Sequence, residues 1–255
     1  MPPKKHQDSD QNDFRFKEIG AGVDSNIRKK PASSLTKVAD IPGRDAAIAH
    51  LRYVDPVLAH LIDAHPDFDP RAWLAELPPM DAFGALVFQV MGQQLSVRAT
   101  RSLLLRLEER FGGRLPTPAD LLAASPEDLH RIGLSRRKVA TLRAVADRFI
   151  DGRLSADALQ KLPDQEIEAR LTTISGIGPW TVQGFLIIAF SREDVVLPGD
   201  LALRKIIQHT YRLDHRPDPD EVLQLAERWR PYRSLAVAYL FQAAFENGKT
   251  RWSSV

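Results

Sequence analysis

The stretch ISGIGPWTV, Ile174 to Val182, places Gly176 and Gly178 one residue apart, then Pro179, then a large aromatic, Trp180. Each glycine weakens a helix or strand running through it by roughly 0.5–1 kcal/mol relative to alanine, so something here requires a bare backbone. Pro179 suits the first turn of a helix, where its missing N–H is not needed. Upstream, Ile167, Leu171 and Ile174 share one face of a helix that Asp164 can cap. Between the two helices, Ser175 to Gly178 make a hairpin turn with Ile177 wedged inward. Free N–H groups at a helix N-terminus, backed by the macrodipole, favour an anion, and a phosphate is the usual one. The competing reading of a lone Gly-x-Gly is a tight helix corner with no ligand. A second candidate is Asp200, which follows Pro198-Gly199 and precedes the helical LALRKIIQ. It reads as an N-cap, as a fixed negative charge, or as both.

Two further stretches carry polar groups at helix starts. Gln93 and Gln94 lie after Gly92 and before Ser96, which can cap the next helix. Arg136-Arg137-Lys138 open a helix after Gly133-Leu134-Ser135. Cations at a helix N-terminus oppose its dipole, and a nearby phosphate would relieve that conflict. The plainer reading of either stretch is a solvated polar surface.

The elements that must position these residues are helical almost throughout. From Ile41 onward, apolar residues recur at three- and four-residue spacing, over segments near 44–52, 55–64, 70–76, 81–91, 97–111, 118–123, 126–131, 136–150, 155–160, 164–173, 179–190, 201–212, 218–229 and 232–246. Ser125-Pro126-Glu127-Asp128 is a helix start, and Phe111-Gly112-Gly113 a stop. Strand-like alternation is nearly absent, so the expected fold is all-α. Residues 1–40 are charged and poor in large apolar side chains, which predicts a flexible basic and polar tail. Residues 41–255 form the folded domain, with two helical lobes sharing a cleft, because the chain enters the middle helices and returns late to the first ones.

Composition narrows the chemistry. There is no cysteine, which excludes disulfides, zinc-thiolate sites and iron–sulfur clusters. No apolar run of 18 residues occurs and the N-terminus has no signal-like core, so a membrane or secreted protein is not expected. A formal net charge of +2 is too small to argue for nucleic acid, so any basic footprint must be local.

Leu171 to Thr181 resembles the helix-hairpin-helix motif of the helix-hairpin-helix DNA glycosylases, over about 164–190. LPGDLALRK (197–205) resembles that family's Gly/Pro-rich loop ending in a catalytic aspartate. VMGQQLSVRAT (90–100) looks like its wedge loop, and RWRPYRSLAVAYL (228–240) like its C-terminal helix. The resemblance covers about residues 45–247 and points to the DNA-3-methyladenine glycosylase II branch, which cuts the N-glycosidic bond of alkylated purines. It implies Asp200 as the catalytic residue, stabilising positive charge on the sugar. It implies Trp180 and Phe241 as aromatic walls of a base pocket, where an electron-poor alkylpurine stacks on the indole. Gly184, one turn after Trp180, stands where relatives often have an aromatic. It either lets a helix approach or widens the pocket.

Gly176, Gly178 and Thr181 at the hairpin, with Ser135, Arg136 and Lys138 at the start of their helix, are the expected contacts to the DNA backbone, and the resemblance implies that Gln93 and Gln94 enter the minor groove. Arg204 and Lys205 have a similar claim, whereas Glu193-Asp194 reads as a solvated loop. Carbonyls of Thr172, Ile174 and Ile177 match positions where relatives often hold a monovalent cation, Na+ or K+; no cofactor is implied for catalysis. Relatives that nick the strand carry a lysine where this chain has Trp180, so a monofunctional enzyme is expected. The implied partner is double-stranded DNA containing damaged bases, bound by a monomer, in the cytoplasm of a bacterium or the nucleus of a eukaryote. The rival readings are a non-enzymatic helix-hairpin-helix DNA-binding module and a glycosylase for deaminated or oxidised purines.

Overall fold

The computed structural model describes residues 43–247, so the expected tail lies outside the described residues. Thirteen α-helices and no strand occur among the described residues: α1 (Arg44–Val54), α2 (Pro56–Ala64), α3 (Ala82–Gly92), α4 (Val97–Arg110), α5 (Pro118–Ala123), α6 (Pro126–Ile132), α7 (Arg136–Ile150), α8 (Ala156–Gln160), α9 (Asp164–Leu171), α10 (Pro179–Phe190), α11 (Leu201–Thr210), α12 (Pro219–Ala226) and α13 (Arg233–Asn247). The segment expected near 70–76 is a short 3-10 turn, Ala72–Glu76. The one expected over 218–229 is α12 followed by another such turn, Glu227–Trp229.

Two apolar cores divide these helices. The first unites α3 to α10, through side chains such as Leu86, Val90, Leu104, Leu142, Ile167 and Phe185. α3 is buried on nearly every face, as its run AFGALVFQVMG demands, and becomes the centre of this lobe. The second core joins α1 and α2 to the last three helices, through Leu51, Leu58, Leu203, Ile207, Trp229 and Leu240. The late return of the chain to its first helices is therefore real. Neighbouring residues mark the crossing: Val195 belongs to the first core and Val196 to the second.

Asp55 organises the second lobe. One carboxylate oxygen accepts from the Val57 and Leu58 N–H groups at 3.0 and 3.2 Å, capping α2. The other accepts from the Tyr211 hydroxyl at 2.7 Å and the Trp229 indole at 2.8 Å. A carboxylate only 1% exposed is tolerable because both oxygens are satisfied. Burial raises the Tyr211 pKa well above that of a free phenol, so this side chain stays a donor.

The loop that carries Asp200 is held at its other end by Asp194. Its carboxylate takes Arg230 and Arg233 at 2.6 Å each, and its carbonyl accepts from Arg233 at 2.7 Å. Ser234 adds a bond to the Val195 N–H at 3.0 Å and one to the Arg192 carbonyl at 2.7 Å. Asp194 is thus clamped to α13 and its approach rather than solvated in a loop. The RWRPYR sequence that supplies the arginines held the signal for this.

Candidate active site and nucleic-acid interface

The hairpin between α9 and α10 forms as its sequence dictates, with one change at its start. Asp164 does not cap α9; it occupies the first turn after Pro163 and makes an ion pair with Arg192 at 3.1 Å. Ile174 and Ile177 close the turn by donating N–H bonds to Leu171 and Ile174 carbonyls, both at 3.0 Å, and Ile177 is buried. Gly176 has φ +92°, and a Cβ there would strike the Thr141 hydroxyl. That hydroxyl donates to the Ser175 carbonyl at 2.9 Å, so the first glycine permits the hairpin to lie against α7. The second glycine differs. Gly178 is the N-cap of α10 in extended conformation, and a Cβ there would meet nothing within 4 Å. Packing does not require it, whereas close approach by an outside group would.

Asp200 caps α11 through one carboxylate oxygen, which accepts from the Leu203 N–H at 2.8 Å. Its other oxygen accepts from the Trp180 indole N–H at 2.7 Å. α10 packs in the first core and α11 in the second, so this bond bridges the two lobes. The structure therefore brings together the two residues singled out at positions 180 and 200. It also gives Trp180 a second task that its sequence position did not reveal: orienting the carboxylate. Phe241 is half-buried on α13, packed against the second core. Gly184 is buried, and a Cβ on it would come within 2.5–2.7 Å of the Gln89 side-chain amide. It leaves no open space of its own; of the two expectations, close approach of a neighbouring helix is the one seen.

The loop after α3 is braced rather than free. Gln93 donates to the Gly176 carbonyl at 2.8 Å and the Thr181 hydroxyl at 2.9 Å, tying the loop to the hairpin. Gln93 is thus held by protein instead of projecting toward a groove, and Thr181, only 2% exposed, serves as its acceptor. Lys138 donates its ammonium to the Met91 and Gln93 carbonyls at 2.7 and 2.9 Å. Partial burial lowers its pKa, and its charge answers orphan carbonyls at the end of α3. Ser135 caps α7 through the Lys138 N–H at 3.3 Å. What remains outward is the tip. Gln94 sits at φ +58°, exposed, and Leu95 beside it is 37% exposed. Arg136 is exposed and has no partner among the described residues. Arg204 donates to the Pro217 carbonyl at 2.6 Å, while Lys205 lines a basic groove with Arg212 and Arg216.

Among the described residues no group of three or more His, Asp or Glu side chains could hold a metal ion, and no helix is long and apolar enough to cross a membrane. The chemistry on offer is thus a fixed carboxylate between two lobes, beside an indole and a turn with a bare helix N-terminus.

The chain is 28% identical over 224 residues to DNA-3-methyladenine glycosylase 1 of Schizosaccharomyces pombe, covering 87% of this chain and 93% of that protein. It is 29% identical over 173 residues to DNA-3-methyladenine glycosylase 2 of Escherichia coli, covering 64% of this chain and 57% of that one. Among solved structures, the Schizosaccharomyces pombe 3-methyladenine DNA glycosylase in complex with abasic DNA superposes with a TM-score of 0.74 at 28% identity, over 81% of this chain and 100% of that chain. Residues 87–231 match the profile of the HhH-GPD superfamily base excision DNA repair proteins, a span from the buried face of α3 through the hairpin, Asp200 and the clamp on Asp194. The chain belongs to the HhH-GPD superfamily of base excision DNA repair proteins.

Proposed function

We propose that this protein is a monofunctional DNA glycosylase of the DNA-3-methyladenine glycosylase II type. It removes alkylated purines, such as 3-methyladenine and 7-methylguanine, from duplex DNA and leaves an abasic site. The observation that carries the proposal is the 2.7 Å bond from Trp180 to Asp200 across the two lobes, beside the hairpin. A purely DNA-binding module has no need of an indole-bound carboxylate there. Names of the similar proteins from Schizosaccharomyces pombe and Escherichia coli support the substrate class.

In this reading the duplex lies in the cleft between the lobes. The hairpin N–H groups and Arg136 hold its phosphates, and Gln94 with Leu95 occupies the gap left by the extruded nucleotide. The damaged purine stacks on Trp180, whose electron-rich face suits a cationic base. As the C1′–N bond breaks, its electron pair leaves with the base and positive charge grows on the sugar. Asp200, fixed by two donors, stabilises that charge without reorganising. Because both of its oxygens are engaged, electrostatic stabilisation suits it better than proton abstraction. Water then adds its oxygen to C1′ and releases a proton to solvent. A monovalent cation, Na+ or K+, would rest on the carbonyls of Thr172, Ile174 and Ile177 and stiffen the turn. We place the protein on DNA as a monomer, in whichever compartment holds the DNA.

Incubation with methylated DNA, followed by chromatography of the supernatant, tests this directly: free 3-methyladenine and 7-methylguanine should appear. Since Trp180 stands where a Schiff base would need an amine, borohydride should trap no covalent protein–DNA adduct. A trapped adduct would overturn the monofunctional assignment.

Trp180→Phe separates the two tasks of the indole. Phenylalanine keeps an aromatic wall but loses the N–H that holds Asp200. A hydrogen bond to a charged group contributes about 1.5–3 kcal/mol, so single-turnover release should slow roughly ten- to a hundredfold. Affinity for abasic DNA should change little. A wild-type rate in this variant would show that the bond does not position the carboxylate.

A further inference from the structure

Among the described residues five polar or charged side chains are buried: Asp55, Gln89, Thr100, Thr141 and Thr181. Four have partners: Asp55 through Tyr211 and Trp229, Thr100 through the Ser96 carbonyl, Thr141 through the Ser175 carbonyl, and Thr181 through Gln93. Gln89 differs. It is 7% exposed, and its amide has no hydrogen-bond partner among the described residues. Around it on α3, Leu86, Val90 and Met91 are apolar and fully buried. The remaining exposure of Gln89 leaves its amide open to water or to a ligand, whereas an apolar residue of similar size would fill the place with neither donor nor acceptor. The unpaired Tyr239 hydroxyl lies in the other core, its ring against Phe68.

The place of the amide suggests what pairs with it. It occupies the space that a side chain at position 184 would fill, within 2.5–2.7 Å of where that Cβ would stand. Gly184 follows Trp180 by four residues on α10, so the two positions share one helix face. The Gln89 amide therefore lies over the turn next to the indole that holds Asp200.

We propose that Gln89 is a specificity residue that reads the hydrogen-bonding edge of the extruded purine, an inference that rests on the glycosylase reading above. A glutamine amide presents one donor group beside one acceptor. The Watson–Crick edge of adenine presents an amino donor beside the N1 acceptor, and that of guanine presents the O6 acceptor beside the N1–H donor. Half a turn of the amide serves either edge. Methylation at N3 of adenine or N7 of guanine leaves that edge intact. One residue thus accepts both alkylpurines, while a pocket closed by an aromatic side chain at position 184 would have no such group in that place.

Two variants test this. Gln89→Leu removes donor and acceptor and should keep or raise the melting temperature, because no partner is left unpaired. Gly184→Ala puts a methyl where the amide lies and displaces it; the far end of a flexible side chain can yield without moving backbone. Both should lower kcat/KM for release of 3-methyladenine and 7-methylguanine by about tenfold, the scale of losing a hydrogen bond to substrate. Affinity for a duplex carrying a tetrahydrofuran abasic analogue, which offers no base edge, should match wild type. Unchanged release in folded variants would overturn the assignment, and so would an equal loss of release and abasic-duplex affinity. A wild type that releases no base at all would instead sink the glycosylase reading itself.

Discussion

Asp200→Asn should lower the single-turnover rate of base release by about a hundred- to a thousandfold, the scale seen when a preorganised electrostatic group is removed from an active site. Asparagine keeps the size and one acceptor oxygen, and it caps helices about as well as aspartate. It cannot keep both bonds. The carboxylate serves Leu203 with one oxygen and Trp180 with the other, and an amide has only one oxygen to share. A stability loss of about 1 kcal/mol is therefore expected, too little to unfold the protein. Affinity for abasic-site DNA should hold or improve, because one anion near the phosphates is gone. A thermal melt beside the rate assay separates the effects. Near-wild-type release from a folded Asp200→Asn protein would reduce Asp200 to a helix cap and a lobe tether.

Gly178→Asp should weaken DNA binding without lowering stability. The position is the N-cap of α10, its φ of −113° suits any residue, and a Cβ there meets nothing. Aspartate is a better N-cap than glycine, so the melting temperature should stay level or rise slightly. The same carboxylate stands where the hairpin is argued to receive a phosphate. Binding to damaged and undamaged duplexes should weaken alike, by roughly tenfold or more, since phosphate contacts carry no sequence information. Gly178→Ala, which adds bulk without charge, should lose much less. If the aspartate variant is stable and binds DNA as wild type does, the phosphate does not sit on this turn. Gly176 offers no such test, because its φ of +92° and the nearby Thr141 make any side chain there a folding defect.

The difference between those two glycines shows how far the sequence could be read. The Gly-x-Gly-Pro-Trp pattern announced the hairpin, and the periodicity announced the helices, because both are local properties of a few consecutive residues. The pairing of Trp180 with Asp200 joins elements twenty residues apart across two lobes. Spacing could suggest the two residues but not the bond between them. Lys138, Gln93 and Thr181 were harder still. Each is a polar residue near the expected DNA surface, and on type alone a DNA contact is a reasonable reading. Their hydrogen bonds are long-range: Gln93 reaches Thr181 at 2.9 Å, and Lys138 reaches the carbonyl of Gln93 at 2.9 Å. Nothing in a linear sequence distinguishes a lysine that binds phosphate from one that satisfies carbonyls at a helix end 45 residues away. Gly184 posed the same difficulty. Its missing side chain could mean open space or a close neighbour, and only the fold brings Gln89 against it.

Single-turnover incubation of the wild-type protein with a methylated duplex, resolving released bases and DNA strands from the same samples, tests the central claim most directly. The account predicts free 3-methyladenine and 7-methylguanine in amounts that match the abasic sites formed, with every strand intact until alkali is added. Duplex binding without base release, or strands nicked before alkali, would contradict it.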